Sequence, residues 1–174
     1  MQQRVTLTTV VVAAIIVTGD QLTKSWAGHR LSGGRTIDFV ASVRLSLSFN
    51  SGMSFSRARG FGPVIAVLCI VVVLALLRNG QRATSRETVL ASALVIGGAL
   101  GNVADRAFRP GGGFLGGHVI DFIDVPHFAV FNVADMAINA GVALFVLAAW
   151  SAQRNSRPTS LSSAADPSDA TVSA

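Results

Sequence analysis

Four long apolar segments divide the chain, and each is long enough to cross a lipid bilayer as a helix. They lie at about residues 5–26, 61–77, 88–104 and 128–150. A helix that spans the hydrocarbon core of a bilayer requires roughly 20 apolar residues. The first segment also resembles the apolar part of a signal peptide, but no small-x-small cleavage motif follows it. The pattern therefore predicts four transmembrane helices.

The polar stretches between these segments have two different characters. Ile37–Val40 and Val43–Asn50 alternate apolar with polar residues, which is the period of β-strands, and Ser51-Gly52 ends the alternation. Arg109–Gly117 is rich in glycine and predicts a flexible loop. We therefore expect a small extramembrane β-like cradle and a mobile loop beside an all-α bundle.

The carboxyl end differs in composition from the rest. Residues 151–174 consist mainly of Ser, Ala, Thr and Asp without apolar periodicity. Such a segment cannot bury enough apolar surface to fold. We predict one membrane domain, residues 1–150, followed by a disordered tail, residues 151–174.

Composition supports a membrane protein and limits the kinds of partner. Of the 174 residues, 51% are hydrophobic and only 13% are charged, against about 25% in soluble domains. The net charge of +5 comes from arginines scattered between apolar segments, which favours contact with anionic lipid head groups over nucleic acid. Cys69 is the only cysteine and lies in an apolar segment, which favours a buried inert thiol. The three histidines lack HExxH spacing, so zinc is not indicated. We expect no other metal and no cofactor.

Polar residues gather at the ends of the apolar segments. Because consecutive spans alternate in direction, these ends fall on one membrane face. The residues concerned are Asp20, Lys24, Asn50, Asn102, Asp105, Arg106, Asp121, Asn132 and Asp135. The short, arginine-dense loop 78–87 favours a cytoplasmic position for itself and for both termini. The spacing predicts one polar cluster at the opposite, outer interface.

Asp121 and Asp135 lie near the start of the fourth segment, where a carboxylate is costly. A central, unpaired one costs roughly 2.5–3.5 kcal/mol on insertion scales. Two carboxylates that share a site cannot both ionise, so one holds a proton while the other acts as a base. Such a pair can activate water against an amide carbonyl.

Simpler interpretations exist for several of these residues. Asp20 and Lys24 are spaced to pair on one helix face, and Lys24 alternatively reaches the head groups. Asn102 and Asp105 have the character of residues that hydrogen-bond between membrane helices. Asp105 and Arg106 can also form an interfacial ion pair. Asp124 and His127 fit a solvated loop.

Five sequence blocks resemble bacterial lipoprotein signal peptidase, the signal peptidase II family. The blocks are Asp20–Lys24, the N-x-G-x-x-F-S run Asn50–Ser56, the G-G-x-x-G-N-x-x-D-R run Gly97–Arg106, Val119–Phe122 and Phe131–Asp135. They occur in order across residues 5–150. Met53 stands where a small residue is commoner, and the loop Arg109–Gly117 is unusually rich in glycine.

The resemblance implies an aspartic endopeptidase of the bacterial inner membrane, built from four helices and acting near the periplasmic face. It implies cleavage of prolipoproteins before a cysteine that carries a diacylglyceryl group. Asp121 and Asp135 would be the catalytic dyad, with the base and acid roles left open. The supporting residues would be Asp20, Lys24, Asn50, Gly52, Asn102, Asp105, Arg106 and Asn132. The mobile lid would be the glycine-rich loop, and the enzyme would act as a monomer in contact with membrane lipid.

Three other functions use buried carboxylates. A proton-coupled transporter predicts ionisable residues along several helices, yet residues 61–77 contain none. A presenilin-type protease predicts Gly-x-Gly-Asp and more spans, which this chain lacks. A non-catalytic assembly factor would use its polar residues only to hold helices together.

Overall fold

Four helices form the body of the protein in a computed structural model that describes residues 2–52, 61–80, 85–111 and 113–155. They are α1 (Gln2–Arg30), α2 (Gly62–Gly80), α3 (Arg86–Phe108) and α4 (Val133–Asn155). Each is long and apolar enough to cross a membrane. The prediction of four membrane-spanning helices is confirmed.

The helix boundaries differ from those predicted. α1 continues to Arg30, and α3 continues to Phe108, so Asp105 and Arg106 lie inside its last turns. α4 begins at Val133, later than expected, because Phe131 is still paired with Ile123 of the sheet. Its helix also continues past Trp150 to Asn155, so the first residues of the predicted tail are helical. Residues 156–174 lie outside the described part of the chain.

α3 is the central helix and packs against α1, α2 and α4. Over half of its spanning window is buried (56%), against 11–17% for the other three. Glycines allow the close approach: a Cβ on Gly97 would lie 2.8 Å from the Cβ of Ile16 in α1, and one on Gly98 would overlap the carbonyl oxygen of Ala134 in α4. Small residues are the usual means of close helix contact in lipid.

A three-stranded antiparallel sheet stands at one end of the bundle. Its strands are β1 (Thr36–Val40), β2 (Val43–Asn50) and β3 (Val119–Asp124), in the order β1-β2-β3. The first two strands match the predicted cradle closely. The third strand was not predicted, because Asp121 was expected near the start of the fourth helix. Its pairing partner, β2, lies far away in the sequence, so a local pattern does not reveal the strand.

The sheet rests on the end of α1 through an apolar cluster. Ala27 of α1 and Leu31, which directly follows this helix, pack there against Ile120 and Phe122 of β3. Because side chains alternate along a strand, burying Ile120 and Phe122 against α1 points Asp121 to the opposite face. The carboxyl ends of α1 and α3 contact this sheet, and Val133 at the amino end of α4 packs against the same apolar cluster.

Candidate active site

Asn132 joins the two aspartates of the predicted dyad. Its side-chain Nδ2 donates a hydrogen bond to Oδ1 of Asp121 at 2.6 Å. Its backbone N–H donates to Oδ2 of Asp135 at 3.2 Å, and the Asp135 N–H donates back to Oδ1 of Asn132 at 3.0 Å. This reciprocal pair has the form of a capping box at the start of α4. Because α4 begins at Val133, Asp135 lies in its first turn, where an anion is favoured.

Asp121 comes from β3, not from the start of a helix as the sequence had indicated. The carboxylate is buried, 2% exposed, and its Oδ2 accepts a hydrogen bond from Nδ2 of Asn50 at 3.1 Å. Burial raises the pKa of Asp121 to about 6, with the neighbouring Asp135 charge adding to the rise and the Asn50 and Asn132 hydrogen bonds opposing it. A carboxyl group with such a pKa can hold or release a proton near neutral pH.

Gly52 fixes the direction in which Asn50 donates. The Gly52 N–H donates to Oδ1 of Asn50 at 3.0 Å, which leaves the Asn50 amide N–H for Asp121. Gly52 has a φ of 143°, and a Cβ there would lie 2.6 Å from the backbone nitrogen of Gly62. Only glycine fits this turn.

Asn102 of α3 contacts the second aspartate. Its Nδ2 donates to Oδ1 of Asp135 at 2.8 Å, while its Oδ1 accepts from Nζ of Lys24 at 2.9 Å and from Nδ2 of Asn132 at 3.2 Å. An ammonium group only donates, so the oxygen of the Asn102 amide must face Lys24. The amide N–H is then directed at Asp135.

Lys24 is fully buried between two carboxylates. Its Nζ lies 2.8 Å from Asp20 and 3.0 Å from Asp105, and all three side chains have no exposed surface. The possibility that Lys24 reaches the head groups is therefore wrong. The i,i+4 pair of Asp20 and Lys24 is present, with Asp105 added to it. Asp105 pairs with Lys24 and with Arg109, 2.6 Å away, and not with Arg106.

The same carboxylates hold the elements of the site together. Asp20 accepts a hydrogen bond from the N–H of Ala134 in α4 at 2.9 Å, and Asp105 accepts one from the N–H of Ile120 in β3 at 3.1 Å. The Gln21 side-chain amide donates to the carbonyl of Gly101 and to Asp105, both at 3.1 Å. These bonds tie α1, α3, α4 and β3 into one arrangement.

Gln21 and Arg109 belong to this network, and the sequence analysis missed the role of both. Arg109 follows Asp105 by four residues, a spacing that favours pairing on a helix surface. That signal was available. No local signal marked Gln21, because its partners come from another helix.

A cavity of about 390 Å³ opens beside the dyad. Its lining residues are Asn50, Gly52, Ile65, Ala66, Cys69, Asn102, Val103, Arg106, Val119, Asp121, Ala129 and Asp135. One wall of the cavity is formed by three residues of α2, Ile65, Ala66 and Cys69, and this contribution was not predicted. Cys69 lines this cavity and is only half-buried, so the prediction of a fully buried thiol is wrong.

Arg106 lines this cavity with an unsatisfied donor. The side chain is 6% exposed, and its Nη1 has no hydrogen-bond partner among the residues that the structure describes. Leaving a buried donor unpaired is unfavourable, by roughly 1–3 kcal/mol or more for a charged group. A ligand that brings an acceptor oxygen into the cavity would remove this penalty.

Asp124 and His127 stay outside the cavity. Asp124 accepts hydrogen bonds from Arg44 at 2.8 Å and from Ser46 at 3.2 Å, and the Arg44 contact lowers the pKa of the Asp124 carboxyl. His127 is exposed. The prediction of a solvated loop is confirmed for His127, but it is wrong for Asp124, which is the last residue of β3.

Two predicted features fall partly or wholly beyond the described residues. Residues 53–60, which include most of the N-x-G-x-x-F-S block, lie outside them. In the glycine-rich loop, the Gly117 N–H donates to the carbonyl of Arg106 at 3.0 Å, and Gly111 pairs with Gly117. The described residues of this loop do not line the cavity. A mobile lid formed by this loop stays a prediction without support from the cavity.

Comparison with known proteins identifies a single family. The profile of the signal peptidase (SPase) II family, Peptidase_A8, matches residues 12–151. A lipoprotein signal peptidase of Rhodococcus jostii is 38% identical over 138 residues, covering 79% of this chain and 69% of the relative. One of Mycobacterium tuberculosis is 37% identical over 137 residues, covering 78% and 67%.

Solved structures agree on the fold. A bacterial membrane enzyme determined by the in meso method at 2.3 Å resolution superposes with a TM-score of 0.76 at 24% identity, covering 89% of this chain and 94% of that one. A second such enzyme, at 1.9 Å resolution, gives a TM-score of 0.70 at 26% identity, covering 82% and 92%.

Proposed function

Because this chain belongs to the signal peptidase II family of membrane peptidases, we propose that it removes signal peptides from prolipoproteins. The bond cleaved precedes a cysteine that carries a diacylglyceryl group. The reaction is of the aspartic type, with Asp121 and Asp135 as the catalytic residues. The observation that supports this most strongly is the pairing of these two carboxylates through Asn132 at the wall of a cavity.

The charges around the cavity favour a dyad that holds one proton. The cavity is lined by Asp121, Asp135 and Arg106, and the adjoining ion-pair network adds the carboxylates of Asp20 and Asp105 and the cations Lys24 and Arg109. With one shared proton the four acids carry three negative charges, equal to the three positive ones. Buried charge is tolerated when it is balanced. A singly protonated dyad is the form that an aspartic peptidase requires.

In that form the pair performs both halves of general acid–base catalysis. One carboxylate removes a proton from water as its oxygen attacks the scissile carbonyl carbon, while the protonated carboxyl donates to the carbonyl oxygen. Arg106, with its unpaired Nη1, is placed to receive an oxygen of the bound peptide. The two carboxylates are positioned by hydrogen bonds from Asn50, Asn102 and Asn132. Asn102 is in turn positioned by Lys24, and the surrounding elements are joined by Asp20 and Asp105.

The position of the cavity suits a lipid-modified substrate. It lies where the helix bundle meets the sheet, so acyl chains can remain in the bilayer while the peptide bond reaches water. We place this end at the outer face of the bacterial cytoplasmic membrane and both termini in the cytoplasm. The enzyme acts as a monomer in contact with membrane lipid.

The test is cleavage of a diacylglyceryl-modified prolipoprotein by purified protein in detergent. Asp121→Asn and Asp135→Asn should each lower kcat by at least about a thousandfold, because each removes an acid–base group. Asp124→Asn is the matched control: it changes the same side chain on the same strand, outside the cavity, and should retain cleavage. Turnover near the parent level in a folded Asp121→Asn or Asp135→Asn protein contradicts the aspartic mechanism.

A further inference from the structure

We propose that the two aspartates have fixed and different roles: Asp135 is the ionised base that takes the proton from water, and Asp121 is the acid that protonates the scissile carbonyl. The inference rests on the proposed peptidase function, and it goes beyond it by assigning a direction to the proton transfers. The assignment comes from the different surroundings of the two side chains.

Asp135 occupies a position that stabilises negative charge. It lies in the first turn of α4, where the helix dipole favours an anion, and its Oδ2 accepts a backbone N–H from Asn132. Its Oδ1 accepts from Nδ2 of Asn102, whose oxygen is bound to the Lys24 ammonium. The Asn102 amide is thus polarised by a buried cation, with its N–H end on Asp135. Both Asp135 oxygens therefore accept bonds suited to a carboxylate.

Asp121 lacks these supports. It lies on a strand, which has little net dipole, and its two donors are the neutral side-chain amides of Asn50 and Asn132. It is almost fully buried, and the charge of Asp135 acts on it across the dyad. The charged groups that face it from the packed elements are Asp135 of α4, Lys24 of α1 and Arg106 of α3. The raised pKa of Asp121, about 6, agrees with its holding the shared proton.

The assignment gives a balanced reaction. Asp135 accepts a water proton as the water oxygen bonds to the carbonyl carbon, and Asp121 gives its proton to the carbonyl oxygen, which forms a neutral gem-diol. Asp135 then passes its proton to the amide nitrogen as the C–N bond breaks. Asp121 takes back a proton from the gem-diol hydroxyl as the new carboxyl product forms, and the dyad returns to its starting state.

Asn102 and Asn50 form a matched pair of probes, because each donates one side-chain N–H to one dyad oxygen. Without its donor, a carboxylate becomes easier to protonate. Asn102→Ala should therefore move the acid limb of the pH profile of kcat/KM upward by about one pH unit, since that limb reports protonation of the base. Asn50→Ala should instead move the alkaline limb upward by a similar amount.

The reverse pattern, with Asn50→Ala moving the acid limb and Asn102→Ala the alkaline one, would show that the roles are exchanged. If each variant moved both limbs equally, or neither limb, fixed roles would be ruled out. Each profile is compared with the variant's own maximum, so a general loss of activity does not affect the result.

A second measurement does not need turnover. Carbon-13 NMR of aspartate-labelled protein follows the carboxyl titrations in the parent, in Asp121→Asn and in Asp135→Asn. We expect a titration near pH 6 in the parent, its absence in Asp121→Asn, and its movement to lower pH in Asp135→Asn. A titration near 6 that persists in Asp121→Asn overturns the assignment.

The two proposals fail in different ways. If both asparagine variants are inactive but the titration follows Asp135, the aspartic dyad stands and only the division of roles is wrong. If the titration follows Asp121 while a folded Asp121→Asn protein still cleaves substrate, the aspartic mechanism itself is wrong.

Discussion

At the scale of single residues, the site is a set of amide side chains whose orientation is forced. Lys24 can only donate, so the Asn102 oxygen faces it; Gly52 donates to Asn50, so the Asn50 N–H faces Asp121. Asn132 donates with its amide nitrogen to Asp121 and accepts with its oxygen from Asp135. A substitution at any of these positions therefore changes the hydrogen bonding of a dyad carboxylate, directly or through one neighbour.

The raised pKa of Asp121 predicts how stability depends on pH. The folded-state pKa, about 6, lies above the ordinary value of 3.8, so between these values the folded protein binds more protons than the unfolded chain. The free energy of unfolding should therefore fall as pH rises from about 4 to about 6. The contribution of this group is up to about 3 kcal/mol at 1.36 kcal/mol per unit.

Denaturant unfolding in detergent across this pH range measures the effect. The control is Asp121→Asn, which has no carboxyl to titrate, so the parent-minus-variant difference should decrease with rising pH and level off above about 6. A difference that rises with pH, or that does not depend on it, would show that Asp121 does not hold a raised pKa.

At the scale of elements, α3 organises the bundle through its small residues. Gly97 and Gly98 face α1 and α4, and a Cβ on Gly101 would lie 2.7 Å from Oδ2 of Asp20. The close helix packing and the polar network therefore depend on the same short segment.

Gly98→Ala should destabilise the bundle, because its Cβ would overlap the backbone of α4 at Ala134. We expect a loss of about 1–3 kcal/mol, the usual result of overpacking. Thermal unfolding in detergent measures it. Gly19→Ala is the matched control: Gly19 is also in a membrane helix, and a Cβ there meets no atom within 4 Å. If the two variants unfolded at the same temperature, close packing at Gly98 would not be a source of stability.

At the scale of the whole molecule, the described ionisable groups of the network lie at the sheet end of the bundle. Of the described residues of α2, only Arg78 near its far end has a charged side chain. A transporter would require polar groups along the length of its helices. The arrangement therefore favours the proposed reaction site at one interface over a transport path.

The proposed orientation predicts which positions are accessible from outside the cell. In a Cys69→Ala background, Thr36→Cys on exposed β1 should react with a membrane-impermeant maleimide in intact spheroplasts. Arg78→Cys, exposed near the opposite end of α2, should react only after the membrane is permeabilised. The opposite labelling pattern would place the site in the cytoplasm. A cytoplasmic marker protein that remains unlabelled confirms that the membrane is intact.

The elements were predictable wherever a local pattern decided them. The four helices follow from apolar length, and β1 and β2 follow from strict alternation with a glycine break. β3 was missed because its six residues pair with a strand distant in sequence, and the start of α4 was predicted too early. The helix ends were set by tertiary contacts, such as the pairing of Phe131 with Ile123.

By itself, the sequence determined the membrane class, the two-strand cradle and the identity of the polar residues, because composition and spacing are local properties. It also placed those residues at one end of the bundle, since alternating spans leave no other choice. Only the tertiary structure decided which polar groups touch. Lys24 lies between Asp20 and Asp105, and Asn102 bridges it to Asp135, because α1, α3 and α4 approach closely at their glycines. The surroundings that distinguish Asp121 from Asp135, a buried strand and a helix amino end, exist only when the sheet has packed against the helices.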